Sequence, residues 1–155
     1  DRDLFDYITI GEDQMYFVCA PDHELVEEGS GTVSFEDLKK YPYISREKGS
    51  GTRNVFEKEF PKHTELNLKL EINDNDSIIS AISESNYIAV LSEQIAKKAE
   101  NASLIKIIRL KRFSHVATRN LYFLKLRENN LTGLKREFWN YLSKKIQDGK
   151  EKNNK

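Results

Sequence analysis

Tyr43-Ile44-Ser45-Arg46-Glu47-Lys48-Gly49-Ser50-Gly51-Thr52-Arg53 is the stretch on which the fold turns. Tyr43-Ile44-Ser45 reads as a short strand, Gly49 to Thr52 as a sharp loop, and Arg53 to Phe60 as a helix. Phe56 and Phe60 lie one turn apart in that helix, and Pro61 ends it. Strand, loop and helix then recur downstream. Leu68, Leu70 and Ile72 alternate with Asn67, Lys69 and Glu71, the period of a strand with one polar face, and Asp74 or Asp76 can cap a helix carrying Ile78, Ile79 and Ile82. Tyr87 to Leu91 is a continuous apolar run, as in a strand covered on both faces, and Ser92 can cap a helix reaching about Glu100.

Upstream, Tyr7 to Ile10 and Met15 to Ala20 are β-formers closed by Pro21-Asp22, giving one or two strands. Ser34 can cap a helix that must stop before Pro42. Downstream, Leu104 to Leu110 and Val116 to Leu126 read as strands. Thr132 precedes a last helix with Leu134, Phe138, Tyr141, Leu142 and Ile146 at helical spacing, and residues 149–155 lose the pattern and read as a disordered tail. Strands alternating with helices predict α/β layers around a largely parallel sheet, because parallel neighbours need a crossover.

Composition removes several classes. With 38% hydrophobic and 32% charged residues and no long apolar run, no membrane span is expected. Cys19 has no partner cysteine, and His23, His63 and His115 lack the spacing of a zinc site, so neither a disulfide framework nor a metal is expected. The 25 basic and 25 acidic residues cancel overall but not locally: residues 1–100 carry 11 basic and 21 acidic groups, and residues 101–155 carry 14 and 4. The basic end reads as a solvated face, or as a contact for an acidic partner or for DNA. The chain opens at Asp1, Met15 is its one methionine, and no apolar leader is visible, so the sequence is read as part of something longer and as cytoplasmic.

Chemistry is best placed at Arg46 to Arg53. Gly49 and Gly51 permit a tight loop, and a helix start presents unpaired N–H groups. Ser50 and Thr52 carry hydroxyls, and Arg46 and Arg53 add cations with forked donors. That set suits a small anion. The same residues equally suit a turn and a cap that serve the helix alone. A dinucleotide fingerprint fails at Asn54, where Gly or Ala is needed, and neither a P-loop nor a nucleophile elbow is present. Cys19, in an apolar strand, reads as a core residue, and the alternating aromatic and basic residues near Arg119 to Tyr122 are what any strand with one wet face produces. No catalytic residues and no cofactor are expected, and an α/β enzyme using the anion site is disfavoured because no general base is placed with a nucleophile.

The order of these landmarks resembles the effector-binding domain of LysR-type transcriptional regulators. Pro21-Asp-His-Glu-Leu25 follows a strand; Val33-Ser-Phe-Glu-Asp-Leu38 leads to Tyr41-Pro-Tyr-Ile44; the Arg46 to Arg53 loop and the run from Ile78 to Leu91 complete the series. The resemblance implies a type-2 periplasmic-binding-protein-like fold of two α/β lobes holding a small effector between them. Residues 1–11 would be the end of lobe I and the first hinge strand, 12–117 lobe II, and 118–148 the second hinge strand and the C-terminal part of lobe I. A winged helix-turn-helix and much of lobe I would lie outside the sequence. The implied effector residues are Ser50, Gly51, Thr52, Arg53 and Arg46, faced by Asn73 and Asn75 beside Asp74. The implied partners are a small, anionic metabolite, further copies of the chain in a homo-oligomer, and DNA only through the absent domain. The alternative is a periplasmic-type solute-binding domain serving transport. The family turn Gly-x-Gly before the buried strand and the Pro after it are replaced here by Ser85, Tyr87 and Ser92.

Overall fold

β1 (Phe5–Cys19) is one strand of 15 residues. The computed structural model describes residues 2–27 and 32–153. Contacts divide the chain into one unit spanning Asp13–Arg119 and a second formed by residues up to Glu12 with those from Asn120 onward.

In the larger unit, α1 (Glu24–Glu27) and α2 (Phe35–Leu38) precede β2 (Pro42–Arg46), α3 (Gly51–Glu59) and β3 (Asn67–Ile72). After these come α4 (Asn75–Ser83), β4 (Ile88–Ser92), α5 (Glu93–Asn101) and β5 (Lys106–Ile108). The sheet order is β3-β2-β4-β1-β5. β2 runs parallel to β3 and β4, but β1 is antiparallel to both β4 and β5. The largely parallel sheet expected from sequence is therefore mixed. The reason is topological: β4 and β5 share one direction and are joined through α5, and β1 is inserted between them the other way.

Strand alternation divides the core into two layers, since successive side chains leave opposite faces of a sheet. Met15, Phe17 and Cys19 of β1, Tyr43 of β2, and Ile88 and Val90 of β4 face Phe35, Leu38, Phe56 and Phe60. Val18, Ile44, Ala89 and Leu91 face Ile78, Ile79, Ile82, Ala96 and Ala99. Helices thus cover both faces. Phe17 meets Phe56 edge-on at 5.6 Å, and Phe56 stacks on Phe60 at 5.5 Å, which makes α3 the aromatic anchor of its layer.

Several expectations shift in detail. α3 begins at Gly51, not Arg53, because Ser50 takes the cap position. Ser34 and Asp74 cap α2 and α4 as expected, accepting from the amides of Asp37 and Ser77, whereas Ser92 holds the cap position of α5 without a side-chain bond. β5 is three residues long rather than seven: Lys106–Ile108 pair with β1, while Leu110 forms an isolated bridge with Val33. Leu68 and Leu70 are 44% and 45% exposed, on β3 at the edge of the sheet. Ser85 does with its hydroxyl what a glycine turn would do with backbone freedom: Oγ donates to Ala81 O at 2.7 Å and accepts from the Tyr87 amide at 3.3 Å. Neither Ser85 nor Tyr87 needs a positive φ.

In the smaller unit, β6 (Ala117–Leu126) pairs with β1 and is followed by α6 (Gly133–Asn153). Tyr7 and Tyr122 meet edge-on at 5.4 Å, and Phe123 contacts Phe138 and Trp139. Asp6 is salt-bridged by Lys125, and Arg127 lies 3.4 Å away; the hydrogen bond from Lys125 chiefly holds the Asp6 carboxyl below its ordinary range. α6 runs on through 149–153, within the stretch expected as a tail. Residues 154 and 155 lie outside the described residues. Leu134, Phe138 and Tyr141 are 83%, 51% and 57% exposed.

Candidate functional site at the start of α3

Gly49 has φ 91°, a backbone angle that side-chain-bearing residues rarely adopt, and it turns the chain from β2 into α3. Ser50 follows in extended conformation, 8% exposed, and its Oγ accepts from the Arg53 amide at 3.1 Å. The Ser50 hydroxyl is thus spent on the cap. The next two amides, of Gly51 and Thr52, have no protein acceptor among the described residues. They are the open donors of the helix start, where the backbone dipoles favour negative charge.

The two arginines singled out from sequence come to this place but are already engaged. Arg46 forms a fork onto Glu47, with Nε to Oε2 at 2.8 Å and Nη2 to Oε1 at 3.1 Å. Its remaining donors reach Asn75 Oδ1 at 2.8 Å and Asn73 O at 3.2 Å. Arg46, Asn73 and Asn75 are therefore brought together, as a brace between the end of β2 and the loop before α4. Arg53 donates Nε to Glu57 at 2.6 Å, and Nη1 to Glu71 at 2.8 Å and Arg46 O at 3.0 Å. These bonds, that to Glu71 first and to Glu57 next, hold the Arg53 guanidinium above its ordinary pKa. The Arg46 fork correspondingly lowers that of Glu47. The charge of both arginines is cancelled locally.

A third arginine, not anticipated from sequence, completes the setting. Arg119 on β6 approaches so that a Cβ placed on Gly51 would lie 3.5 Å from its Nη1. Its Nε and Nη2 both bind Oδ2 of Asp13, at 2.9 and 2.7 Å. Asp13 is 4% exposed, and its Oδ1 is buried without a hydrogen-bond partner. The only hint in the sequence is a carboxylate just ahead of the apolar run Met15 to Ala20. Nothing local pairs it with an arginine 106 residues away. Among the described residues no cluster of three or more His, Cys, Asp or Glu side chains could hold a metal, and no helix is long and apolar enough to cross a membrane. Cys19, read from sequence as a core residue, is buried in the layer of Phe17 and Phe56.

A regulatory-domain fold is what this mixed sheet, covered on both faces, matches among known proteins. Residues 1–147 match the model of the LysR substrate binding domain, and the chain belongs to that family. It is 36% identical over 144 residues to an HTH-type transcriptional regulator of Methanocaldococcus jannaschii, MJ0300, covering 90% of this chain and 47% of that protein. It is 34% identical over 82 residues to the HTH-type transcriptional activator CmpR of Synechocystis, covering 52% of this chain and 26% of that protein. The chain thus spans about half or less of the curated relatives it matches. Among solved structures, the CcmR regulatory domain of Synechocystis in complex with 2-PG superposes with a TM-score of 0.75 at 25% identity, over 92% of this chain and 67% of that one. The effector binding domain of QuiR in complex with shikimate gives 0.72 at 14% identity, over 92% and 65%, a likeness of fold. An ABC-type phosphate transport receptor of Vibrio cholerae shares the fold at 0.59 and 14%, which places the architecture in the periplasmic-binding-protein type.

Proposed function

We propose that this chain is the effector-sensing part of a LysR-type transcriptional regulator, and that it binds a small anionic metabolite at the start of α3. The observation that carries the reading is the pair of open amides at Gly51 and Thr52, beyond a cap already closed by Ser50, in a chain of a ligand-binding family. The 2-PG held by the CcmR domain supports an anion, and the helix-turn-helix regulators among the relatives support transcription over transport. In this reading residues 12–117 are lobe II, and residues 1–11 and 118–148 belong to the hinge strands and lobe I. DNA is read by a winged helix-turn-helix outside this sequence, the protein works in the cytoplasm as a homo-oligomer, and it catalyses no reaction. The exposed apolar residues of α6 support self-association. A ligand acts here only through its differential affinity for two conformations, so regulation is a population shift.

The test is a titration with inorganic phosphate, 2-PG and a panel of small carboxylates, followed by calorimetry and by the Gly51 and Thr52 amide resonances. Saturable shifts at those two amides for at least one anion are expected. No response to any of them would remove the anion from the reading.

A further inference from the structure

Three guanidinium groups stand near the start of α3, and they are committed differently. Arg46 has spent Nε, Nη1 and Nη2 on Glu47, Asn75 and the Asn73 carbonyl. Arg53 has spent Nε and Nη1 on Glu57, Glu71 and the Arg46 carbonyl. Arg119 places Nε and Nη2 on a single oxygen of Asp13, and its Nη1 has no acceptor among the described residues. That free edge is the one lying 3.5 Å from the Cβ position of Gly51, and the Arg119 side chain is 29% exposed, within reach of a solute.

Asp13 gives the arrangement its second, independent sign. A forked arginine ordinarily meets both carboxylate oxygens. Here both contacts converge on Oδ2, and Oδ1 is buried and unpartnered in a residue 4% exposed. Leaving a buried acceptor unpaired costs stability, and a buried ion pair is seldom a net gain against apolar packing. What this pair achieves instead is orientation: it holds the guanidinium with Nη1 beside Gly51, 3.5 Å from that residue's Cβ position.

We propose that Arg119 is the cationic side-chain ligand of the anion site at the start of α3, and that Asp13 is the positioning residue that aims it. The ligand is a small oxyanion with at least two oxygens, one on the Gly51 and Thr52 amides and another on Nη1. The proposal rests on the reading that this site takes an anion. A lysine cannot substitute, because its single ammonium cannot span Asp13 and the ligand as a planar three-nitrogen group does.

The experiment titrates inorganic phosphate into the wild-type chain and into Arg119→Gln, Arg119→Lys and Asp13→Asn, reading affinity by calorimetry and location by the Gly51 and Thr52 amides. Both Arg119 variants are expected to bind about tenfold more weakly or worse, with the larger loss at about pH 8, where phosphate carries its second charge, than at about pH 5.5. Asp13→Asn is expected to bind more weakly although it makes the site more positive, which a simple charge effect would reverse. A folded Arg119→Gln within about twofold of wild type, a loss of equal size at both pH values, or tighter binding by Asp13→Asn overturns the proposal while the anion reading stands. If Arg119→Gln does not fold, Arg119→Lys decides by the same criterion. Wild-type protein that leaves both amides unshifted at saturating phosphate, 2-PG and carboxylates overturns the underlying reading, and this proposal with it.

Discussion

Arg46 Nη1 donates to Asn75 Oδ1 at 2.8 Å, and the bond ties the last residue of β2 to the first residue of α4. Two residues that sequence reasoning assigned to an effector site hold each other. With the Asn73 carbonyl and the Glu47 fork they form a closed polar brace. Replacing Arg46 by Met should lower stability by about 1–2 kcal/mol in urea unfolding, the worth of charged hydrogen bonds reduced for partial exposure. A variant as stable as wild type would show the brace to be idle.

Ser50 separates cap from ligand contact. Its Oγ is engaged with the Arg53 amide, so Ser50→Ala should cost about 1 kcal/mol and Ser50→Gly only a few tenths, read as shifts in the unfolding midpoint. If Ser50→Ala instead left stability unchanged and abolished anion binding, the hydroxyl would be a ligand group and not a cap.

Asp74 makes α4 sensitive to acid. Its carboxylate accepts from the Ser77 amide at 2.7 Å, and hydrogen bonding to Ser77 holds it below the ordinary value of 3.8. A carboxyl whose pKa is depressed by folding contributes stability above its unfolded value and loses it as pH falls through the folded one. Asp74→Asn should therefore flatten the decline in melting temperature below about pH 4. Parallel acid profiles for the two proteins would contradict this.

Cys19 should be inert while the protein is folded. Burial chiefly pushes its thiol up to about 12, so almost no thiolate exists at neutral pH. Labelling by a thiol reagent should proceed only in denaturant, with one equivalent incorporated. Rapid labelling of the native chain would mean that β1 opens readily.

Phe56 anchors α3 to the sheet through Phe17 and Phe60 and is 2% exposed. Phe56→Ala should cost about 3–5 kcal/mol by calorimetry, the range for removing a buried aromatic ring. Because α3 carries the site, the same variant should also weaken anion binding. Full stability would place the core elsewhere.

Local chemistry decided what was legible from sequence. Ser34, Ser50 and Asp74 cap helices because a short polar side chain can reach an amide three residues on, a relation contained in a few residues. The Gly49 turn and the buried run of β4 are equally local. The direction of β1 was not legible, because its antiparallel pairing with β4 and β5 depends on which strand enters the sheet between them. Nor was the exposure of Leu68 and Leu70, since alternation reports two faces and not whether anything covers them.

The amino-acid sequence by itself determined the succession of strands and helices, the helix starts, and the family whose landmarks those elements carry, all relations that span a few residues or their order. Only the tertiary structure decided which donors each guanidinium has left. It set Arg46 and Arg53 against Glu47, Glu57 and Glu71, and brought Arg119 to Asp13 and Gly51. A guanidinium has the same charge wherever it lies in the chain, and what it can bind depends on which acceptors folding has already placed around it.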